Sequence, residues 1–322
     1  MTGGGEGPRR GLVLGAGGTL GAAWMIGALC ALEEVTGCDV RTAEVVIGTS
    51  AGAVVAALLG AGATPADLRD HQLGAANAGG PLAGLDFDYS CTGGGPGWPQ
   101  LGLGSFPLLA RWARNPMRYS PLVALSAVAP RARATLEPLG GLIDSVTPAG
   151  TWSIHPDVRA VAMDYRTGER VVFGRAGPVR AGLAEAVMAS CAVPGWFAPV
   201  DIGRRRYVDG AVLSPTNAEL AAGRGLDEVC ILAPMASDRL DQPDSVLARC
   251  ERHVRRIMTR QVLREANAVG VDGAKVVLLR PGPEDLEAMG GNVMDPTRRL
   301  PVLRTSLRTT AATLRTSTRT GS

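Results

Sequence analysis

The chain has 322 residues, 46% hydrophobic and 20% charged, enough to bury a sizeable core either as one large domain or as one domain with an elaborated insertion. Its 33 basic and 30 acidic residues leave a net charge of +3, too balanced for a nucleic-acid binder, although Lys275 is the only lysine among them. Six cysteines (Cys30, Cys38, Cys91, Cys191, Cys230, Cys250) form no CxxC pair and do not cluster with His71, His155 or His253; this argues against a zinc site or disulfide framework and fits a reducing cytosol.

Residues 1–9 read as a flexible N-terminus. "GLVLG" is a continuous apolar run of strand length, and "AAWMIGALCALEE" has helical spacing with Trp24, Ile26, Leu29 and Leu32 facing inward. "AEVVIG" repeats the strand pattern and "AGAVVAALLGAG" the helix pattern. A βαβα opening predicts a parallel sheet with helices on its faces. The same stretch imitates a secretion signal, with Arg9 and Arg10 ahead of an apolar run and Cys30, but five glycines from Gly11 to Gly21 and Leu29 before the cysteine argue against one. No other run is apolar and long enough to cross a bilayer, so a cytoplasmic protein, peripheral to membranes at most, is expected.

From 79 to 150 the pattern changes: "GGPLAG", "CTGGGPGWPQLGLGSFP" and "RNPMRYSP" break every periodic run with Gly or Pro. Trp98, Leu101, Leu103, Phe106, Leu108, Leu109 and Trp112 make this variable insertion read as a lid. Beyond it, "DVRAVAMDY" and "ERVVFG" predict neighbouring strands around an "RTG" turn, "AGLAEAVMASCA" a helix, and "DEVCILAP" and "AKVVLLRP" buried strands. Between the last two, Val246, Leu247, Cys250, Val254, Ile257, Met258 and Val262 form an amphipathic stripe, read as core packing. Residues 10–296 thus make one domain, and the Arg- and Thr-rich tail 297–322 begins as a helix and is expected to fray over about its last ten residues.

Three short motifs carry chemistry. In "VVIGTSAGAVVAALLG", Ser50 sits in a G-x-S-x-G turn between strand and helix, with Gly48 and Gly52 where any Cβ would collide with a neighbouring element. The following helix aims its N-terminal N–H groups at the serine, so a nucleophile is the economical reading; close strand–helix packing of small residues is the bland one. "LGAGGTLG" is a second strand-to-helix turn whose consecutive glycines can point N–H groups at an oxyanion. Its competitor, a dinucleotide loop, wants an acidic residue at the end of the second strand, where this chain has Gly48, Thr49 and Ser50. In "RRRYVDGAVLSPTNAELA", Asp209 precedes Gly210; taken alone, it is a turn aspartate bonding its own backbone.

Taken together and in this order, the motifs resemble the patatin-like phospholipase family, over about Gly11 to Leu220 and including "ASCAVPGWFAPV" before the aspartate. The resemblance implies an α/β fold of three layers, α/β/α, with a central mostly parallel sheet and a variable, lid-like insertion. It implies Ser50 as nucleophile, Asp209 as the group that takes its proton, the backbone of Gly17, Gly18 and Thr19 as oxyanion hole, and Gly48, Gly52 and Gly210 as support for the turns. The expected activity is hydrolysis of carboxylic esters of lipids through an acyl-enzyme, a scheme that needs no metal or cofactor, with Trp98, Phe106 and Leu109 lining or covering the acyl pocket. Leu20 departs from the Arg or Lys of many members, which leaves a preference for anionic head groups open. Two alternatives stand beside this: an α/β-hydrolase with a Ser50, Asp209, His253 triad, and a non-catalytic lipid-binding protein that keeps the fold.

Overall fold

The computed structural model describes residues 7–75, 80–89, 100–132, 134–147, 151–239, 241 and 243–320. The chain opens with β1 (Arg10–Leu14), α1 (Gly18–Thr36), β2 (Val45–Thr49), α2 (Ala51–Gly60) and α3 (Pro65–Gln72). The insertion holds β3 (Gln100–Leu103), α4 (Phe106–Arg114), α5 (Pro121–Val128), β4 (Pro130–Arg131) and α6 (Glu137–Val146). Then follow β5 (Val158–Asp164), β6 (Arg170–Phe173), α7 (Leu183–Cys191), β7 (Val200–Ile202), β8 (Arg205–Asp209), β9 (Glu228–Leu232), α8 (Val246–Val271), β10 (Lys275–Leu279), α9 (Pro283–Met289) and α10 (Arg299–Thr320).

The main sheet runs β10-β9-β1-β2-β5-β8-β7, with β6 on the other edge of β5. Its first five strands are parallel, and β6, β7 and β8 join antiparallel. Strands covered on both faces must be apolar throughout, which is why β1 and β2 read as unbroken runs. Alternate residues feed two cores: Leu12, Leu14 and Val46 pack under α1 and α2, while Val13, Val45 and Ile47 join the cluster that holds Val269 of α8. These two cores make the three-layer α/β/α arrangement, and the fold class is the expected one.

Two strand pairings position the site. Leu14 lies opposite Gly48, so the turns leaving β1 and β2 are neighbours. β5 changes partner along one edge: Thr49, the last residue of β2, pairs with Val161, and Asp209, the last residue of β8, pairs with the next residue, Ala162. Because β2 is parallel and β8 antiparallel to β5, their C-terminal ends meet head-on.

Three expectations need correction. The Gly and Pro residues of the insertion do not break every periodic run: among the described residues α4 and α5 form a small cluster, with Leu108, Val123 and Ala127 buried against Met163, Tyr165 and Val208. Pro at the first turn and a serine N-cap start both helices, Ser105 accepting from Leu108 N–H and Ser120 from Val123 N–H, so the breakers are helix starts. The α8 stripe is not core: of its seven members only Val262 is buried, and the polar Arg252 and Arg255 take the inward face. Finally, the tail stays helical to Thr320. Val302, Leu303, Ser306 and Leu314 recur at helical spacing and are buried against α1. Gly27 lets the helices touch, since a Cβ there would stand 2.6 Å from the Leu303 carbonyl oxygen, and Ser306 Oγ donates to the Trp24 carbonyl at 2.6 Å. Cys91 and Trp98 lie outside the described residues.

Candidate active site

Ser50 stands between β2 and α2 at φ 54°, ψ −125°, a left-handed conformation rare for any residue with a side chain. The turn is tight because its neighbours are glycines. A Cβ on Gly48 would approach the Gly52 carbonyl oxygen to 2.5 Å, and one on Gly52 the Leu14 carbonyl oxygen to 2.0 Å. Gly52 thereby seats the first turn of α2 on the end of β1. Behind the turn, Ser190 of α7 accepts the Ser50 N–H at 2.9 Å and donates to the Val161 carbonyl at 2.6 Å, riveting the elbow to β5.

Asp209 is buried at the end of β8. Its Oδ1 accepts the Ala211 N–H at 2.8 Å, and Oδ2 has no hydrogen bond of ordinary geometry. Burial pushes its pKa up to about 7, against the pull of the Ser50 hydroxyl and the Ala211 N–H. Gly210 admits the turn that follows, since a Cβ there would lie 2.4 Å from the Val161 carbonyl oxygen.

Gly17, Gly18 and Thr19 sit at the N-terminus of α1, beside the elbow. Gly18 takes φ +60° and faces Val293 and Met294, leaving no room for a side chain. Gly21 N–H makes the first helical bond, to the Gly17 carbonyl, and Leu20 N–H bonds the Val293 carbonyl at 2.9 Å. The Gly18 N–H has no helical acceptor, and this end of the helix carries the positive dipole. The Leu20 side chain is fully buried in the core, so it presents nothing to a ligand.

All five groups, Gly17, Gly18, Thr19, Ser50 and Asp209, line one cavity of about 620 Å³. Its remaining wall is mainly apolar, with Val54, Leu58, Leu68, Leu139, Trp196 and Met258 among the lining side chains. Among its described residues the insertion contributes Leu82, Phe87 and Tyr89 on one side and Leu136, at the N-cap of α6, with Leu139 and Leu142 on the other. Phe106 and Leu109 do not reach the cavity, which overturns their expected lining role, and Trp98 lies outside the described residues. His253 also fails to reach it: it is exposed on α8.

The sequence reading missed a buried network behind the elbow. Asn217, at φ 51°, donates from Nδ2 to Thr49 Oγ1 at 3.0 Å and to the Ser214 carbonyl at 3.0 Å. Ser214 and Thr216 donate from their hydroxyls to Glu265 of α8, each at 2.5 Å, and the Pro215 carbonyl accepts the Ala16 N–H at 2.8 Å. Burial and the nearby Glu219 raise the Glu265 pKa, against its three hydrogen bonds. One loop, Ser214–Asn217, therefore grips both glycine turns. Its only sequence signal is "SPTN" soon after Asp209.

The model of the patatin-like phospholipases matches residues 12–222, which contain every group named for the two turns and the aspartate. The chain belongs to that family. Patatin-like phospholipases are lipid acyl hydrolases, and the matched span ends shortly after the loop that braces the elbow. No curated protein sequence matches the chain. Among solved structures it is similar to VipD from Legionella pneumophila, at 14% identity and TM-score 0.49 over 96% of this chain and 67% of that one. It is also similar to the type III effector protein ExoU, at 18% identity and TM-score 0.40 over 96% of this chain and 53% of that one. A further likeness is to the complex of ExoU with SpcU from the type III secretion system of Pseudomonas aeruginosa, at 19% identity and TM-score 0.34 over 94% of this chain and 52% of that one. The chain thus spans about half the length of ExoU.

Proposed function

We infer that the protein hydrolyses carboxylic esters of lipids through a Ser50–Asp209 dyad. The reading rests on one observation: β2 and β8 end against each other along β5, so a strained serine and a buried carboxylate share the polar corner of an apolar cavity. A carboxyl group that titrates near 7 is a base matched to neutral pH.

As Ser50 Oγ bonds to the ester carbonyl carbon, Asp209 Oδ2 takes the hydroxyl proton. The carbonyl oxygen becomes an oxyanion facing the N–H groups at the start of α1, with Gly17, Gly18 and Thr19 around it. Collapse of the tetrahedral adduct breaks the bond to the alcohol, which leaves with the proton from Asp209. Water then attacks the acyl-serine while Asp209 again accepts a proton, and the adduct collapses as Asp209 returns that proton to Ser50 Oγ, which releases the fatty acid and restores the dyad. The acyl chain lies along the Leu58, Leu68 and Leu139 wall, where it is out of water.

The test is a series of p-nitrophenyl esters of rising chain length, with a phospholipid alongside, using wild type, Ser50→Ala, Asp209→Asn and His253→Ala, each shown folded by circular dichroism. The dyad requires the first two variants to lose nearly all turnover and His253→Ala to stay within a few-fold of wild type. A folded but dead His253→Ala would establish the triad instead, since losing a triad histidine costs orders of magnitude. Wild type inactive on every substrate would leave a lipid-binding protein.

A further inference from the structure

The N-terminal half of α8 is polar inside and apolar outside. Arg252 is 4% and Arg255 0% exposed. Arg252 is held by Asp241 at 2.5 Å and by the Leu286 and Gly290 carbonyls at 2.8 and 2.9 Å; Arg255 is held by Glu251 at 2.6 Å and by the Pro234 carbonyl. Val246, Leu247, Val254 and Ile257, by contrast, are 72%, 62%, 40% and 52% exposed, and Cys250 between them is exposed too. Their spacing sets them on one strip of the helix, three turns long. A soluble surface gains nothing from such a strip, so something of matching chemistry covers it.

Two observations identify what does. The strip runs into the cavity: Leu247 at one end and Met258 at the other line it, together with Met235 and Met294. Its flank is cationic. Arg249, Arg256 and Arg260 are exposed along it with His253, while Glu251, the one carboxylate of the segment 246–264, is turned inward onto Arg252 and Arg255. An apolar stripe with an arginine border is the pattern of a helix that lies in a lipid–water interface. A second copy of the chain is a poor match, because two such faces would oppose arginine to arginine.

We propose that α8 docks the protein onto an anionic lipid surface, with the Val246–Ile257 strip sunk among the acyl chains, Arg256 and Arg260 on the lipid phosphates, and the cavity opening against the membrane. The proposal rests on the lipid-hydrolase reading for its purpose and not for its test. The membrane-facing charge comes from α8 and not from the start of α1, where Leu20 is buried.

Binding is read by co-sedimentation with sucrose-loaded vesicles of phosphatidylcholine, with and without phosphatidylglycerol, using Ser50→Ala as the parent so that turnover plays no part. The parent binds the anionic vesicles, more weakly as salt rises. Val246→Ser/Val254→Ser/Ile257→Ser lowers binding to both compositions at least tenfold, keeps the parental melting temperature and, with Ser50 restored, still cleaves a short soluble ester at the wild-type rate. Arg256→Gln/Arg260→Gln lowers binding to anionic vesicles by roughly 10- to 30-fold and leaves neutral vesicles unaffected. Undiminished vesicle binding by the triple variant overturns the proposal, as does a parent that binds neither vesicle type. So does a parent that is dimeric in solution while the triple variant is monomeric with vesicle binding unchanged. Binding as described, in a protein that cleaves no ester, would retain the docking face and remove the hydrolase.

Discussion

Ser50 and Asn217 are the two non-glycine residues at positive φ among those described, and Thr49 joins them. A side chain held in such a conformation costs about 1–3 kcal/mol, kept only where the surroundings over-determine it. Ser50→Gly is therefore expected to raise stability by about 1 kcal/mol, part of the strain being offset by the freedom of glycine in the unfolded chain, while abolishing ester cleavage; thermal melts and the ester assay check both. Asp209 carries a similar tension. Its pKa is about 7 in the fold against 3.8 for the free side chain, so between those values the native state keeps a proton the unfolded chain has lost. Stability from this group is thus fullest at low pH and falls as pH climbs from about 4 to about 7. Asp209→Asn should melt several degrees above wild type at pH 8, with the gap closing towards pH 4. Over the same range wild-type kcat/KM on a soluble ester should rise about tenfold per pH unit and level off above about 7, as the carboxylate form appears. An Asp209→Asn gain independent of pH would mean that the carboxyl is not the titrating group.

At the scale of elements, β5 is the template and the loop Ser214–Asn217 is the brace. Glu265 reaches that loop from α8 and accepts from Ser214 Oγ, Thr216 Oγ1 and the Ala218 N–H. Gln at this position can accept at one atom only, so one hydroxyl loses its acceptor, at about 1–3 kcal/mol. Glu265→Gln should lower the melting temperature and reduce kcat while KM holds, because the brace acts on Thr49 and the elbow and not on the acyl wall. Unchanged kcat in a destabilised variant would make the network structural only. The wall itself is tested through α6, where Leu139 and Leu142 face the cavity. Leu139→Trp fills part of its length, and the preferred ester should move to shorter chains; an unaltered chain-length profile would place the acyl group elsewhere.

At the scale of the molecule, the first and last helices are one unit, since α10 lies on α1 and α1 begins at the Gly17–Gly18 turn. Ending the chain at Arg298 would expose the α1 surface now covered by Val302, Leu303, Ser306 and Leu314. Each Val or Leu so uncovered forfeits about 1.5–3 kcal/mol, and domains hold only about 5–15 in total. The truncated chain should lose its cooperative melt, and a wild-type transition would show the helix to be dispensable. The tail was hard to read because Thr and Arg dominate it and only a few positions carry its buried face. The same limit applies to α8, where periodicity identifies a stripe but not the side that meets the protein. By itself the sequence determined β1, β2, β5, β6, β9 and β10, the helices α1, α2, α7 and α8, the two glycine turns, Ser50 on its elbow and the order of motifs that marks the family. Those are local matters, decided by turn chemistry and by apolar runs within a few residues. Only the tertiary structure decided that β8 enters antiparallel and head-on to β2, that Ser190, Asn217 and Glu265 brace the elbow, that Leu82, Phe87, Leu139 and Leu142 wall the cavity while Phe106 and Leu109 do not, and that α8 turns its apolar strip outward. Each of these depends on which strand edge or helix face finds a partner far away in the chain, and pairing of that kind leaves no periodic trace in the residues that take part.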